Sequence, residues 1–106
     1  MYEETNPEQE VADAQKVYAD ALGRARKAKL QLDALGAKLR LRLRAKSKAG
    51  VVRRTEAEID DVATRALGLP PLSGAWNEWN AATSARDWAG LQLDFVKRKF
   101  FGPRRN

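Results

Sequence analysis

VADAQKVYADALGRARKAKLQLDALGAKL, residues 11–39, decides the fold. Its apolar residues recur in alternating steps of three and four: Val11, Ala14, Tyr18, Ala21, Ala25, Ala28, Leu32, Leu35 and Leu39. A strand needs a period of two, so this spacing predicts one long helix lying against another. Alanine dominates the early seam, which lets the partner helix approach closely. Continued in the same steps, the seam reaches Arg42 and Lys46, and from Ala34 to Thr55 there are eight basic residues and no acid. The expected core is therefore a helical hairpin whose tip is basic.

Outward from this stretch, the helix is expected over about 7–46. Asn6 can accept hydrogen bonds from free backbone amides, Pro7 suits the first helical position, and Glu8 and Glu10 meet the positive helix end. Met1–Thr5 is read as a short frayed arm. Gly23 and Gly36 each weaken a helix by about 1 kcal/mol relative to Ala, and Gly36 also suits a close helix contact. Leu39–Arg44 alternates Leu and Arg, but it continues a strong helix and has no second strand to pair with, so it is read as helical.

Gly50 and the two following valines predict a turn. Thr55-Glu56-Ala57-Glu58 reads as a capping box opening a second helix over about 56–68, with Ile59, Val62, Ala63, Ala66 and Leu67 as its apolar stripe. Pro70-Pro71 breaks the returning arm, since neither proline donates a backbone hydrogen bond. Ser73 is expected to cap a third helix over about 74–101, with a seam of Ala75, Trp79, Ala82, Arg86, Ala89, Leu93, Val96 and Phe100. Arg86 sits in that seam, where Asp13 or Asp20 of the first helix is the expected counter-charge. Trp76, Trp88, Leu91 and Phe95 fall off the seam, so this helix is apolar on more than one face. Trp76, Trp79 and Trp88 are read as core, with Trp76 and Trp88 as the candidate interface anchors.

Charge argues for topology. Residues 1–20 carry six acids and one lysine, whereas residues 97–106 carry five basic residues and no acid. An antiparallel hairpin, with the broken second arm returning along the first helix, brings these opposite charges together. A three-helix up-down-up bundle, the alternative, sets the basic tail beside the basic tip.

The chain is a single all-α domain of 106 residues, with 43% hydrophobic residues and three Trp, a composition that argues against disorder. It has no Cys and no His, which removes thiolate catalysis, Cys-ligated zinc and the commonest general base. No catalytic residue, metal site or cofactor is expected. Glu56, Glu58, Asp60 and Asp61 form the one acidic cluster away from the N-terminus, and helix capping and the helix dipole account for it. Met1–Glu10 is acidic and is not read as a signal peptide; with no apolar run long enough to span a bilayer, the expected location is the cytoplasm.

Net charge is +6 and the pI is near 10.0, pointing to a polyanionic partner. The candidate nucleic-acid-binding set is Lys38, Arg40, Arg42, Arg44, Lys46, Lys48, Arg53 and Arg54. No aromatic interleaves with it, so phosphate contacts to DNA or RNA are expected rather than base stacking. An acidic protein surface is the alternative partner, with the chain acting as an inhibitor or assembly factor. Lys97, Arg98, Lys99, Arg104 and Arg105 form a second basic group, read as neutralising the acidic N-terminus. A homo-oligomer is expected from the long seam and the two-faced third helix.

The long alanine-seamed helix, the basic run into Thr55–Glu58 and the Trp-rich helix ending in Lys97-Arg98-Lys99 together resemble the short helical-hairpin accessory proteins of tailed bacteriophages. That resemblance implies a non-enzymatic role close to DNA metabolism in the host cytoplasm. Phe100–Arg105 following a long helix resembles the end of phage small terminase subunits, which implies DNA binding and ring assembly, or a virion structural role.

Overall fold

The computed structural model describes residues 6–102. The fold is all-α, with α1 at Pro7–Lys48, α2 at Glu56–Leu67 and α3 at Ser73–Phe101, and no strand among the described residues. The expected arm at 1–5 and the tail residues Arg104 and Arg105 lie outside that range. Two compact units are distinguished, one of Met1–Arg26 with Ala81–Asn106 and one of Lys27–Asn80. α1 and α3 each contribute a segment to both.

Local chemistry sets the helix ends. Asn6 Oδ1 accepts from the Glu8 N–H at 3.0 Å, opening α1. α1 closes through Gly50, which has φ +76°: its N–H donates to Ser47 O at 3.1 Å, and the Val51 N–H donates to Lys46 O at 3.1 Å. This paired closure needs a left-handed residue, so glycine is required there. Gly102, with φ +77°, ends α3 by donating to Arg98 O at 3.0 Å.

Thr55 caps α2, its Oγ1 accepting from the Glu58 N–H at 3.2 Å. The Glu58 carboxylate receives the Thr55 hydroxyl at 3.2 Å, whereas a full capping box sends it to the Thr55 backbone N–H. Replacing Thr55 by Ala is expected to cost about 1 kcal/mol, read as a lower melting temperature by circular dichroism. α2 stops at Leu67, ahead of a cis Pro70-Pro71 bond, and Ser73 is the first residue of α3 rather than the residue before it.

In the first unit α1 and α3 run antiparallel. Lys99 Nζ lies 3.5 Å from Glu10 Oε1, and a Cβ built on Gly90 would touch Tyr18 Cε1 at 3.4 Å. The acidic start of α1 therefore meets the basic end of α3, as the charge distribution requires, and an up-down-up bundle does not fit. The core here is small, with Ala25, Ala82, Ala89 and Val96 buried.

In the second unit α1 and α2 form an antiparallel hairpin around Ala28, Leu32, Ile59, Ala63 and Leu67, all buried. Gly36 is a close contact: a Cβ there would lie 3.5 Å from Leu67 Cδ1 and 3.1 Å from the Arg40 guanidinium. Trp76 and Trp79 pack together with ring centroids 5.7 Å apart, and Lys29 Nζ sits 5.2 Å from the centre of the Trp79 ring.

Gly23 is different in kind, because nothing lies within 4 Å of a Cβ built on it. Gly23→Ala is expected to stabilise the exposed helix by about 0.5–1 kcal/mol, seen as a raised melting temperature.

Several seam assignments need correction. Arg42 and Lys46, past the apolar seam, are exposed, and the packed face of α1 continues through Leu43 and Ser47, which are half-buried. A straight α-helix drifts about 20° per heptad from a 3.5-residue repeat. At 3.6 residues per turn, Leu39, Leu43 and Ser47, spaced by four, stay on one face of α1. Arg86 pairs with its neighbour Asp87 at 3.2 Å rather than with Asp13 or Asp20. Trp88 is no core residue: it is 65% exposed, while Trp76 and Trp79 are half-buried.

Candidate nucleic-acid interface

The eight basic positions all lie in the second unit, six on the last turns of α1 and two in the connection to α2. They are not equivalent. Arg40 and Arg44, one turn apart on α1, face Asp60 and Glu56, one turn apart on α2. Arg40 Nε donates to Asp60 Oδ1 at 2.9 Å, and Arg44 reaches both Glu56 oxygens at 3.0–3.2 Å. The Glu56 hydrogen bond and charge raise the Arg44 pKa above its ordinary value, so it stays a cation. These two arginines tie α1 to α2.

The other acids of α2 are also engaged. Asp61 pairs with Arg65 at 3.0 Å, and Glu58 is held by Thr55. The acidic cluster thus serves capping and helix pairing. It leaves Lys38, Arg42, Lys46, Lys48, Arg53 and Arg54 without an acidic partner among the described residues.

Lys38, Arg42 and Lys46 follow one another at steps of four on α1 and are exposed. Side chains so spaced stand about 5–6 Å apart on one helix surface. Lys48 and Arg53 are exposed at the turn, and Arg54 is half-buried, its N–H donating to Ser47 Oγ at 3.2 Å and its carbonyl accepting from that hydroxyl. The tip is therefore a positive face, not a ring of charge, because the side toward α2 is neutralised. Chemically it can hold a row of phosphates or carboxylates. Among the described residues no cluster of His, Cys, Asp or Glu is arranged to hold a metal, and no helix is long and apolar enough to cross a membrane.

The spacing of Arg40 and Arg44 fits a ladder with α2, but only the rotational phase of α1 against α2 separates them from Arg42 and Lys46. Bases at 40 and 44 and acids at 60 and 56 are each spaced by four and run in opposite order, which is the signature of an antiparallel ladder. Of the described members of the second basic group, Lys99 Nζ lies 3.5 Å from Glu10 and Arg98 Nη2 lies 3.7 Å from Asp94 of its own helix. Of the two candidate anchors, Trp76 packs against Trp79 while Trp88 stands in solvent.

The described chain is all-α, with a basic helix end whose unpaired charges face away from α2. No protein-family model, curated protein or solved structure matches it.

Proposed function

We propose that this is a non-enzymatic accessory protein of the bacteriophage type that holds the phosphate backbone of DNA or RNA through Lys38, Arg42, Lys46, Lys48, Arg53 and Arg54. One observation carries the reading: among the described residues these cations have no acidic partner, although α2 carries four acids in the same hairpin. Like charges spaced by four on a helix destabilise it by about 0.2–0.5 kcal/mol per pair, and a bound polyanion reverses that cost. Side chains without base-reading geometry imply binding that ignores sequence. The compartment that goes with this role is the cytoplasm, that of a host cell for a phage-encoded chain.

The test is fluorescence anisotropy of labelled duplex DNA and RNA against the full chain over a salt series. With four to six phosphate contacts, log K against log salt is expected to fall with a slope of about −4 to −5 on duplex DNA. Scrambling the sequence should leave affinity unchanged. No binding to either nucleic acid at low salt overturns the proposal and leaves an acidic protein surface as the partner of the same face.

A further inference from the structure

In the first unit, α3 carries an apolar stripe on the side away from α1. Trp88, Leu91 and Phe95 are 65%, 64% and 64% exposed. Their spacing of three and then four places them on one helix face, whereas the residues packed toward α1 are Ala82, Ala89 and Val96. The largest apolar side chains of this segment thus face outward and the smallest inward. A stripe of this size matches the largest apolar patch of a typical monomer, and such patches often mark an interaction site.

The charges beside the stripe say what covers it. One shoulder carries Asp87 near its start, Asp94 in the middle and Arg98 near its end, all exposed. The acid and the base stand at opposite ends of the same edge. When such an edge meets a second copy of itself in antiparallel orientation, each Asp87 falls beside an Arg98. We propose that α3 pairs with α3 of a second copy about a two-fold axis near Leu91. Trp88 then packs against Phe95 of the second copy, and Arg98 reaches its Asp87.

In a two-fold interface every such contact occurs twice, so a patch complementary to itself gains doubly from each one. The present partners are readily exchanged. Asp87 is held by Arg86 at 3.2 Å and Arg98 by Asp94 at 3.7 Å, both in solvent-exposed pairs, which contribute little. Arg86 and Arg98 balance Asp87 and Asp94 along this edge, so an anionic membrane gains no net attraction there. Three side chains of this size present on the order of 400 Å² per copy. The roughly 800 Å² buried in total falls in the range of weak, transient interfaces, so the dimer should form and dissociate with concentration.

Sedimentation equilibrium of the nuclease-treated full chain over a concentration series tests this. The apparent mass should rise from 11.9 kDa toward twice that value. Trp88→Ala should remain at the monomer mass with unchanged helix content, since the side chain lies in solvent. Asp87→Arg and Arg98→Asp should each weaken self-association by about tenfold or more by setting like charges opposite each other. An equimolar mixture of those two variants should associate again, because each supplies the charge the other lacks. A constant 11.9 kDa at every concentration, or failure of the mixture to recover association, overturns the proposal.

Discussion

Replacing Lys38, Arg42, Lys46 and Lys48 together by Gln is expected to lower affinity for duplex DNA by about three to four orders of magnitude at roughly 0.1 M salt. Each lost phosphate contact removes about 0.9 from the slope of log K against log salt, and the same four slopes, extrapolated across one decade of salt, set the size of the loss. The effect should be equal for all sequences. Folding should barely respond. Removing the like-charge neighbours Lys38–Arg42 and Arg42–Lys46 relieves about 0.2–0.5 kcal/mol per pair. Against that, Lys46 and Lys48 stand in the last turn of α1, where a cation gains about 0.3–1 kcal/mol from the helix dipole. The two effects nearly cancel, so the melting curve should superimpose on that of the unmodified chain.

Arg40→Gln with Arg44→Gln is the matching control. These two lie on the α2 side and bond Asp60 and Glu56, so this pair should lower the melting temperature while keeping most of the salt slope. A quadruple variant that binds as tightly as the unmodified chain would show that the exposed face of α1 is not the site.

Ile59→Ala is expected to destabilise the hairpin of α1 and α2 by about 3 kcal/mol, lowering its melting temperature by about 15 °C. Ile59 is 2% exposed and is the largest fully buried side chain among the described residues. Ala63, one turn along the same face of α2, is also buried and has no side-chain length with which to fill the void. The cavity therefore stays open, the condition under which large-to-small substitutions cost most. Ile59→Val removes one methylene and should cost about 1 kcal/mol, giving a graded series in thermal unfolding followed by circular dichroism. If Ile59→Ala melted within a degree or two of Ile59→Val, the buried face of α2 would not be what holds it to α1.

Most of the architecture was legible because it is local. The step of three and four from Val11 to Leu39, the caps at Asn6 and Thr55, and the turn at Gly50 depend on residues within a few positions of one another. Steric and hydrogen-bonding rules act at that range. The antiparallel course was legible too, because acids gathered at one end and bases at the other leave one economical pairing, which Glu10 and Lys99 make. The basic set was legible as composition.

Only the tertiary structure decided which bases face α2 and which face solvent. That depends on the rotational phase of α1 against its partner, and the phase drifts by a fixed small angle with every heptad. In the second unit the packed face of α1 runs through Leu39, Leu43 and Ser47, with Arg40 and Arg44 beside Asp60 and Glu56 and Arg42 and Lys46 turned outward. The same phase on α3 sends Trp88 into solvent while Ala82 and Ala89 are buried. A repeat in sequence specifies that a face is buried; the angle at which two helices meet specifies which side chains stand at its edge.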